Sequence, residues 1–331
     1  MMRRQLPAAV LLSSLLTACD KDETATVATP PPPPDTVAFT QAGRYPEGVQ
    51  YDATNTRFLV SSLTTGAVGQ VKDDGTYTVF TDDSQLVSSI GLNLDDPRNR
   101  LLVAVSDPGY NPQRTSLLTQ RKLAKLAIFN RDKPQLSPQF VDLAVLRPLL
   151  NHFANDIAVD AQGNAYITDS FAPIIYKVDP GNNATVFAEN TQFSAPAGMF
   201  GLNGIVFHPD GYLLVAKSDE GVLFKIPLSS PGSFTRVATS QDLKGADGLR
   251  LQDNKTLQVA CNAQAKVYRL ASTDGWATAT VAGTFSTPPQ YPTTLAQRDN
   301  SDGYVLYSNL NALQAAQSPA VSVFTIAKLK F

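Results

Sequence analysis

Asn203-Gly204-Ile205-Val206-Phe207-His208-Pro209-Asp210-Gly211-Tyr212-Leu213-Leu214-Val215 decides the fold. Two apolar runs flank a Pro-Asp-Gly turn, the pattern of two antiparallel strands in a hairpin. The opening of this stretch recurs. Glu47-Gly48-Val49, Ile90-Gly91-Leu92, Asn155-Asp156-Ile157, Asp247-Gly248-Leu249 and Thr293-Thr294-Leu295 begin comparable runs, and the six starts lie 43, 65, 48, 44 and 46 residues apart. A period in the forties with several strands per unit is the signature of a β-propeller, so the chain is predicted to be all-β and six-bladed.

The first strand of each blade lines the central channel of a propeller. Glu47, Ile90, Asn155, Asn203, Asp247 and Thr293 therefore meet around one axis, at one end of the channel. Two carboxylates and two side-chain amides converge there, with no thiolate and no obligatory imidazole. Hard cations prefer such oxygen ligands, which points to a divalent cation, calcium first, with magnesium or manganese as alternatives. Turn chemistry is the competing explanation, since Asn, Asp and Gly also open strands because they suit turns. Four oxygen-bearing side chains at matched positions of one repeat favour the cation.

The blade starts resemble those of the senescence marker protein, gluconolactonase and luciferin-regenerating enzyme family. More distantly they resemble paraoxonase and the calcium-dependent phosphotriesterase superfamily. Glu47-Gly48, His152-Phe153-Ala154-Asn155-Asp156, Asn203-Gly204, Ala246-Asp247-Gly248 and the strands from Asp247 to Leu270 carry the likeness, which spans about residues 36–331. The resemblance implies a cation held by Glu47, Asn203 and Asp247, with Asn155 as a further ligand or a substrate contact. It also implies that Asp247 positions and deprotonates an attacking water. Two departures matter. Gluconolactonase-like members have an arginine for sugar hydroxyls at the position of Phe153. Paraoxonase has a histidine at the position of Ile90 and a second asparagine at that of Gly248. Phe153 thus predicts a pocket for a more apolar lactone or ester than a sugar lactone.

The first residues read as a separate segment. Arg3 and Arg4 precede an apolar run from Leu6 to Leu16, and Leu16-Thr17-Ala18-Cys19 closes it. Positive residues, a short apolar stretch and small residues before a cleavage point describe a secretory signal over 1–18. The ending resembles a bacterial lipobox, in which Cys19 becomes the lipidated first residue. Residues 19–35 read as a tether, with a five-proline run at Pro30–Pro34 as a stiff polyproline spacer. Residues 36–331 form the propeller. The expected location is the bacterial cell envelope, held to a membrane by the lipid. About 11 apolar-rich residues are too few to span a bilayer, which needs roughly 20.

Composition excludes other classes. Loss of Arg3 and Arg4 takes the formal charge from −2 to −4, since 25 basic residues then face 29 acidic ones. No basic stripe is present, so no nucleic-acid partner is expected. Only Cys19 and Cys261 occur, so lipidation of Cys19 leaves Cys261 without a partner. Cys261 lies in an apolar strand and reads as a small buried hydrophobe. A monomer is expected.

Several finer expectations follow. Thr36–Thr40 is predicted to complete the last blade and so close the ring with both chain ends. The 65-residue step marks an insertion in blade 2, where Tyr110, Arg114 and the Lys122/Lys125 pair are candidates to line an entrance. A short helix is predicted within 143–150. His152, three residues before Asn155, is a candidate acid or base, or else a hydrogen-bonding support for the loop. Asp169 is predicted to return to the cation end and either buttress Asn155 or line the pocket rim, and the resemblance to paraoxonase implies a second, structural cation at Asp156. Two functional readings result: a cation-dependent hydrolase of lactones or esters, and a tethered binding module whose cation is structural. A third, a bare propeller similar to the strictosidine synthase-like relatives, fits the oxygen ring least.

Overall fold

The alternating strands close into six sheets around one axis. The computed structural model describes residues 32–298 and 303–331. The segment expected to be a signal, Cys19 and most of the expected tether lie outside the described residues.

Blade 1 comprises Val49–Asp52, Arg57–Val60, Val68–Val71 and Tyr77–Thr81, paired in that order. Blade 2 comprises Ser88–Asp95, Arg100–Ser106, Ala124–Asn130 and Gln139–Asp142. Blade 3 has Ala154–Val159, Ala165–Asp169, Ile174–Val178 and Ala184–Glu189, and blade 4 has Leu202–His208, Tyr212–Lys217, Val222–Pro227 and the short Thr235–Arg236. Blade 5 has five strands: Ala246–Asp253, Thr256–Cys261, Lys266–Ala271, Thr278–Ser286 and, parallel to the last, Ala238–Thr239. In blade 6, Pro292–Ala296, Tyr304–Tyr307 and Val323–Lys328 are joined by Thr36–Thr40 from the start of the propeller. That closing pair is antiparallel, from Thr36 opposite Ala327 to Thr40 opposite Val323, and it supplies the outer strand of blade 6.

The core is divided by the ring. Six apolar clusters occupy the six seams between neighbouring blades. Each strand face therefore packs on the next sheet, and no single centre holds the molecule together. At the channel, the glycines that follow the ring positions allow the first strands to approach. A Cβ on Gly48 would stand 2.4 Å from the Ile90 carbonyl oxygen of the next blade, and one on Gly204 would stand 2.2 Å from that of Asp247. The repeated X-Gly opening thus pairs a side chain for the channel with bare backbone for the neighbouring blade.

At the far end of the channel, buried carboxylates pin the first hairpins. Asp95 accepts from Arg98 and Arg100, and Asp160 from the Gln162 and Asn164 backbone, the Asn164 amide and the Tyr166 hydroxyl. The helix expected within 143–150 is one 3-10 turn, Ala144–Leu146, followed by Pro148, which has no backbone N–H to extend it. Among the described residues, no helix is long and apolar enough to cross a membrane.

Candidate metal centre and cavity

Glu47, Asn155, Asn203 and Asp247 all line one cavity of about 640 Å³ at the end of the channel where the first strands begin. Each is buried, at 3–6 % exposure. Second strands run back toward this end, and the residue following each one orients the ring. Asn155 donates its amide to Ser170 Oγ at 2.8 Å, and Asn203 donates to Ser218 Oγ at 3.0 Å. Those serines in turn donate to the Leu202 and Ala246 carbonyls of the next blade. Asn262 donates to Asp247 Oδ2 at 2.7 Å. In blade 1, Ser61 Oγ accepts from the backbone N–H groups of Glu47 and Gly48.

The amide nitrogens are thus spent on serines, and the amide oxygens face away from them. Asn155 Oδ1, Asn203 Oδ1 and Glu47 Oε2 are all buried without a hydrogen-bond partner. Three unpartnered buried acceptors on one cavity are costly unless a cation or a hydrogen-bond donor entering the cavity satisfies them. Electrostatics agree. Burial, and then the charges of Asp247 and Asp156, hold the Glu47 carboxyl well above the usual carboxylate range. Burial pushes Asp247 up to about 7, against opposing hydrogen bonds from the Asn262 and Asn203 side chains. Among the described residues no three His, Cys, Asp or Glu side chains cluster as metal ligands. The donor set is two carboxylates with two amides, which fits a hard, oxygen-seeking divalent cation.

Phe153 lines the same cavity, its ring tilted against Phe171 and edge-on to Phe200 at centroid distances of 5.3 and 5.1 Å. Tyr110, Arg121, Met199, Asp219, Lys244 and Tyr291 also line it. Burial and the Asp247 charge raise the Tyr291 phenol, which keeps it a proton donor on the same cavity wall. Asp219 is held by Lys217, which is itself buried, and leaves Oδ1 unpartnered.

His152 is not placed as an acid or base for this cavity. Its Nδ1 lies 2.8 Å from Asp169 Oδ2 and its Nε2 3.0 Å from the Arg147 carbonyl, so both ring nitrogens are engaged. It is 1 % exposed and does not line the cavity. Its geometry matches the alternative of a loop support. Asp169 is the hub of that support, since its Oδ1 also accepts from the Phe153, Phe171 and Ala172 N–H groups. Asp156 faces the other way. It accepts from Ile157 N and Ile205 N and lines a separate cavity toward the far end of the channel. Burial pushes it up to about 7.

In the insertion, Tyr110 reaches the cavity. Arg114 instead spans to the Thr65, Asp83 and Leu86 carbonyls and Asp82, and Lys125 bonds Gln85, so both fasten blade 2 to blade 1. Sequence reasoning missed the serines, Arg121, Phe171, Phe200 and Tyr291. The serines and Asn262 carry a signal, a constant offset of 14 or 15 residues from the ring position. Cys261 is fully buried against the Leu243 carbonyl, and burial raises its thiol, so it offers no nucleophile.

Fold and site together define a six-bladed propeller with an oxygen-lined small-molecule cavity at one end of its channel. The chain belongs to the SMP-30/gluconolactonase/LRE-like family, whose model matches residues 45–301. A search of curated protein sequences found no match. Among solved structures, the major allergen Mala s 1 of Malassezia sympodialis is similar, with 18% identity over 90% of this chain and 96% of that one and a TM-score of 0.68. A luciferin-regenerating enzyme matches at 16% identity, over 89% and 96% of the two chains, with a TM-score of 0.61. Regucalcin from Agrobacterium tumefaciens, described as a calcium-binding protein, matches at 17% identity over 88% and 96%, with a TM-score of 0.58. At these identities the likeness is one of fold.

Proposed function

We propose that the protein is a divalent-cation-dependent hydrolase of lactones or esters. One observation carries this reading: three unpartnered buried oxygens, from Glu47, Asn155 and Asn203, stand with Asp247 on the wall of a substrate-sized cavity. Family membership supports the lactonase class, and the regucalcin likeness supports calcium as the cation.

Glu47, Asn155, Asn203 and Asp247 would hold the cation, which would polarise the ester carbonyl and stabilise the charge developing on its oxygen. Asp247, anchored through Oδ2 by Asn262, orients the attacking water and accepts its proton. Tyr291 offers an O–H donor on the same cavity wall. Phe153, Phe171 and Phe200 form an apolar wall that excludes water from the substrate body. This wall suits an apolar acyl or alkyl group and offers polyols few partners.

In this reading the propeller is a monomer tethered in the cell envelope through a lipid on Cys19, and its partners are small molecules and the membrane. The apolar run before Leu16-Thr17-Ala18-Cys19 supports the anchor. Mass spectrometry of the protein from bacterial membranes tests it: a diacylglyceryl adduct on Cys19 is expected, and an unmodified thiol there overturns it.

Turnover of a panel of lactones and aryl esters tests the activity, with the protein as purified, chelated, and resupplied with calcium, magnesium, manganese or zinc. Activity lost on chelation and recovered with one cation is expected. Stoichiometric cation binding without turnover of any ester would replace the hydrolase with a tethered binding module.

A further inference from the structure

We propose that the cavity selects a ligand bearing a carboxylate on an apolar, ring-sized body, and that Arg121 is the residue that reads the carboxylate. As a statement about substrate this rests on the hydrolase reading above. As a statement about binding it stands on the residues alone.

Arg121 is alone among the described arginines in making no hydrogen bond with its guanidinium. Its neighbours at this end are committed, Arg114 to Asp82 and Arg147 to Glu189. Yet Arg121 is not adrift. Its guanidinium carbon lies 4.6 Å from the centroid of the Phe171 ring, on the cavity wall. A guanidinium stacked on an aromatic face keeps its N–H groups at its edge, where a planar carboxylate pairs with two of them.

The backbone that presents Arg121 is fixed on both sides. Its φ of 59° is left-handed, as at eight other non-glycine positions among the described residues. Arg121 N donates to the Asp107 carbonyl, and its own carbonyl accepts from His152 N, both at 2.8 Å. Asp107 is fully buried at the centre of the blade 2 insertion, accepting from Gly109 N, Thr115 Oγ1 and Thr119 Oγ1. The insertion is therefore a folded platform. It carries Arg121 to the cavity, and the Arg121 carbonyl bonds His152 N in the segment leading into the strand that carries Asn155.

The charge layout gives the ligand a direction. The exposed Arg121 and Lys244 attract an anion at the wall, apart from the ring of Glu47, Asn155, Asn203 and Asp247 that would hold the cation. The aromatic triangle of Phe153, Phe171 and Phe200, with centroids 5.1 to 5.3 Å apart, takes the body beside the carboxylate. An ester group elsewhere on that body is then left to face Glu47, Asn155, Asn203 and Asp247.

The test compares 4-phenylbutyrate with its neutral amide by calorimetry, with calcium and in chelator, on the full chain. Wild type is expected to prefer the carboxylate, by about tenfold for one charge-assisted pair. Arg121→Gln should abolish the preference in both conditions, and Arg121→Lys should restore part of it. An unchanged preference in Arg121→Gln, or none in wild type, overturns the proposal. For turnover, the ratio of kcat/KM for a carboxylate-bearing aryl ester over its neutral analogue should fall about tenfold in Arg121→Gln, through KM. If no ester is hydrolysed while an Arg121-dependent carboxylate preference persists, the hydrolase reading fails and the binding site stands.

Discussion

Asn203 donates its amide nitrogen to Ser218 Oγ at 3.0 Å, and this bond fixes which end of the amide the channel sees. An asparagine side chain has a donor end and an acceptor end of nearly equal size. With the nitrogen bound to Ser218, Oδ1 is buried and unpartnered on the cavity side. Asn155 and Ser170 repeat the arrangement one blade earlier. A cation site assembled from amides needs such a lock, since a flipped amide would present N–H groups to a positive ion.

Ser218→Ala is therefore expected to weaken calcium binding about tenfold, within the 10- to 100-fold typical for partners that orient ligands. Ser170→Ala should do the same. Calorimetric titration of the chelator-treated variants checks this. Wild-type affinity in both would show that the serines serve folding alone.

Glu47→Gln separates the cation from the fold. The Glu47 carboxyl is buried and crowded by Asp247 and Asp156. A neutral isostere relieves that crowding, so the cation-free variant should melt at or above the wild-type temperature. Saturating calcium, at about 100 times Kd, should stabilise wild type by about 2.7 kcal/mol through mass action. The variant should lose most of that shift. Calorimetric melting with calcium and with chelator reads both effects.

His152 gives a pH-dependent signature. Burial alone would lower its imidazole, but the hydrogen bond and charge of Asp169 outweigh that and leave it raised. A raised folded value means that the protonated ring contributes stability fully present below the unfolded value of about 6.5 and lost as pH rises through the folded one. The chain has two histidines, so an NMR titration resolves both. The His152 midpoint should lie above 6.5. Asp169→Asn should lower it, because burial is then opposed only by the Arg147 carbonyl and the Asp142 charge.

The propeller was legible because its information is periodic. Six matched starts gave the blade number, the channel residues and the need for Thr36–Thr40 to close the ring, which pairing from Thr36 to Thr40 bears out. Non-periodic features were hidden. Arg121 belongs to an insertion without counterparts in the other blades, and Phe171 and Phe200 come from loops whose course depends on Asp169 and its neighbours. His152 misled through proximity along the chain. Three residues separate it from Asn155, but its ring turns to Asp169 and Tyr176, away from the cavity. A fifth strand in blade 5, Ala238–Thr239, is too short to leave a pattern.

Closure of the ring makes Phe39 the most informative position for stability. Thr36–Thr40 alternates exposed and buried residues, which puts Val37 and Phe39 on the inner face. Phe39 is 2 % exposed and touches both sides of the last seam, with ring centroids 5.9 Å from Phe324 of blade 6 and 5.9 Å from Tyr77 of blade 1. Phe39→Ala should cost about 3–5 kcal/mol, the usual loss for an aromatic side chain removed from a packed site. The exposed Thr40→Ala, on the same strand, should change stability by less than about 0.5 kcal/mol. Urea denaturation of the two variants decides the matter. Equal, small losses would mean that the first and last blades hold together without the N-terminal strand. A large loss confined to Phe39→Ala would identify that strand as the latch that keeps the ring, and with it the geometry of Glu47 against Asp247, closed.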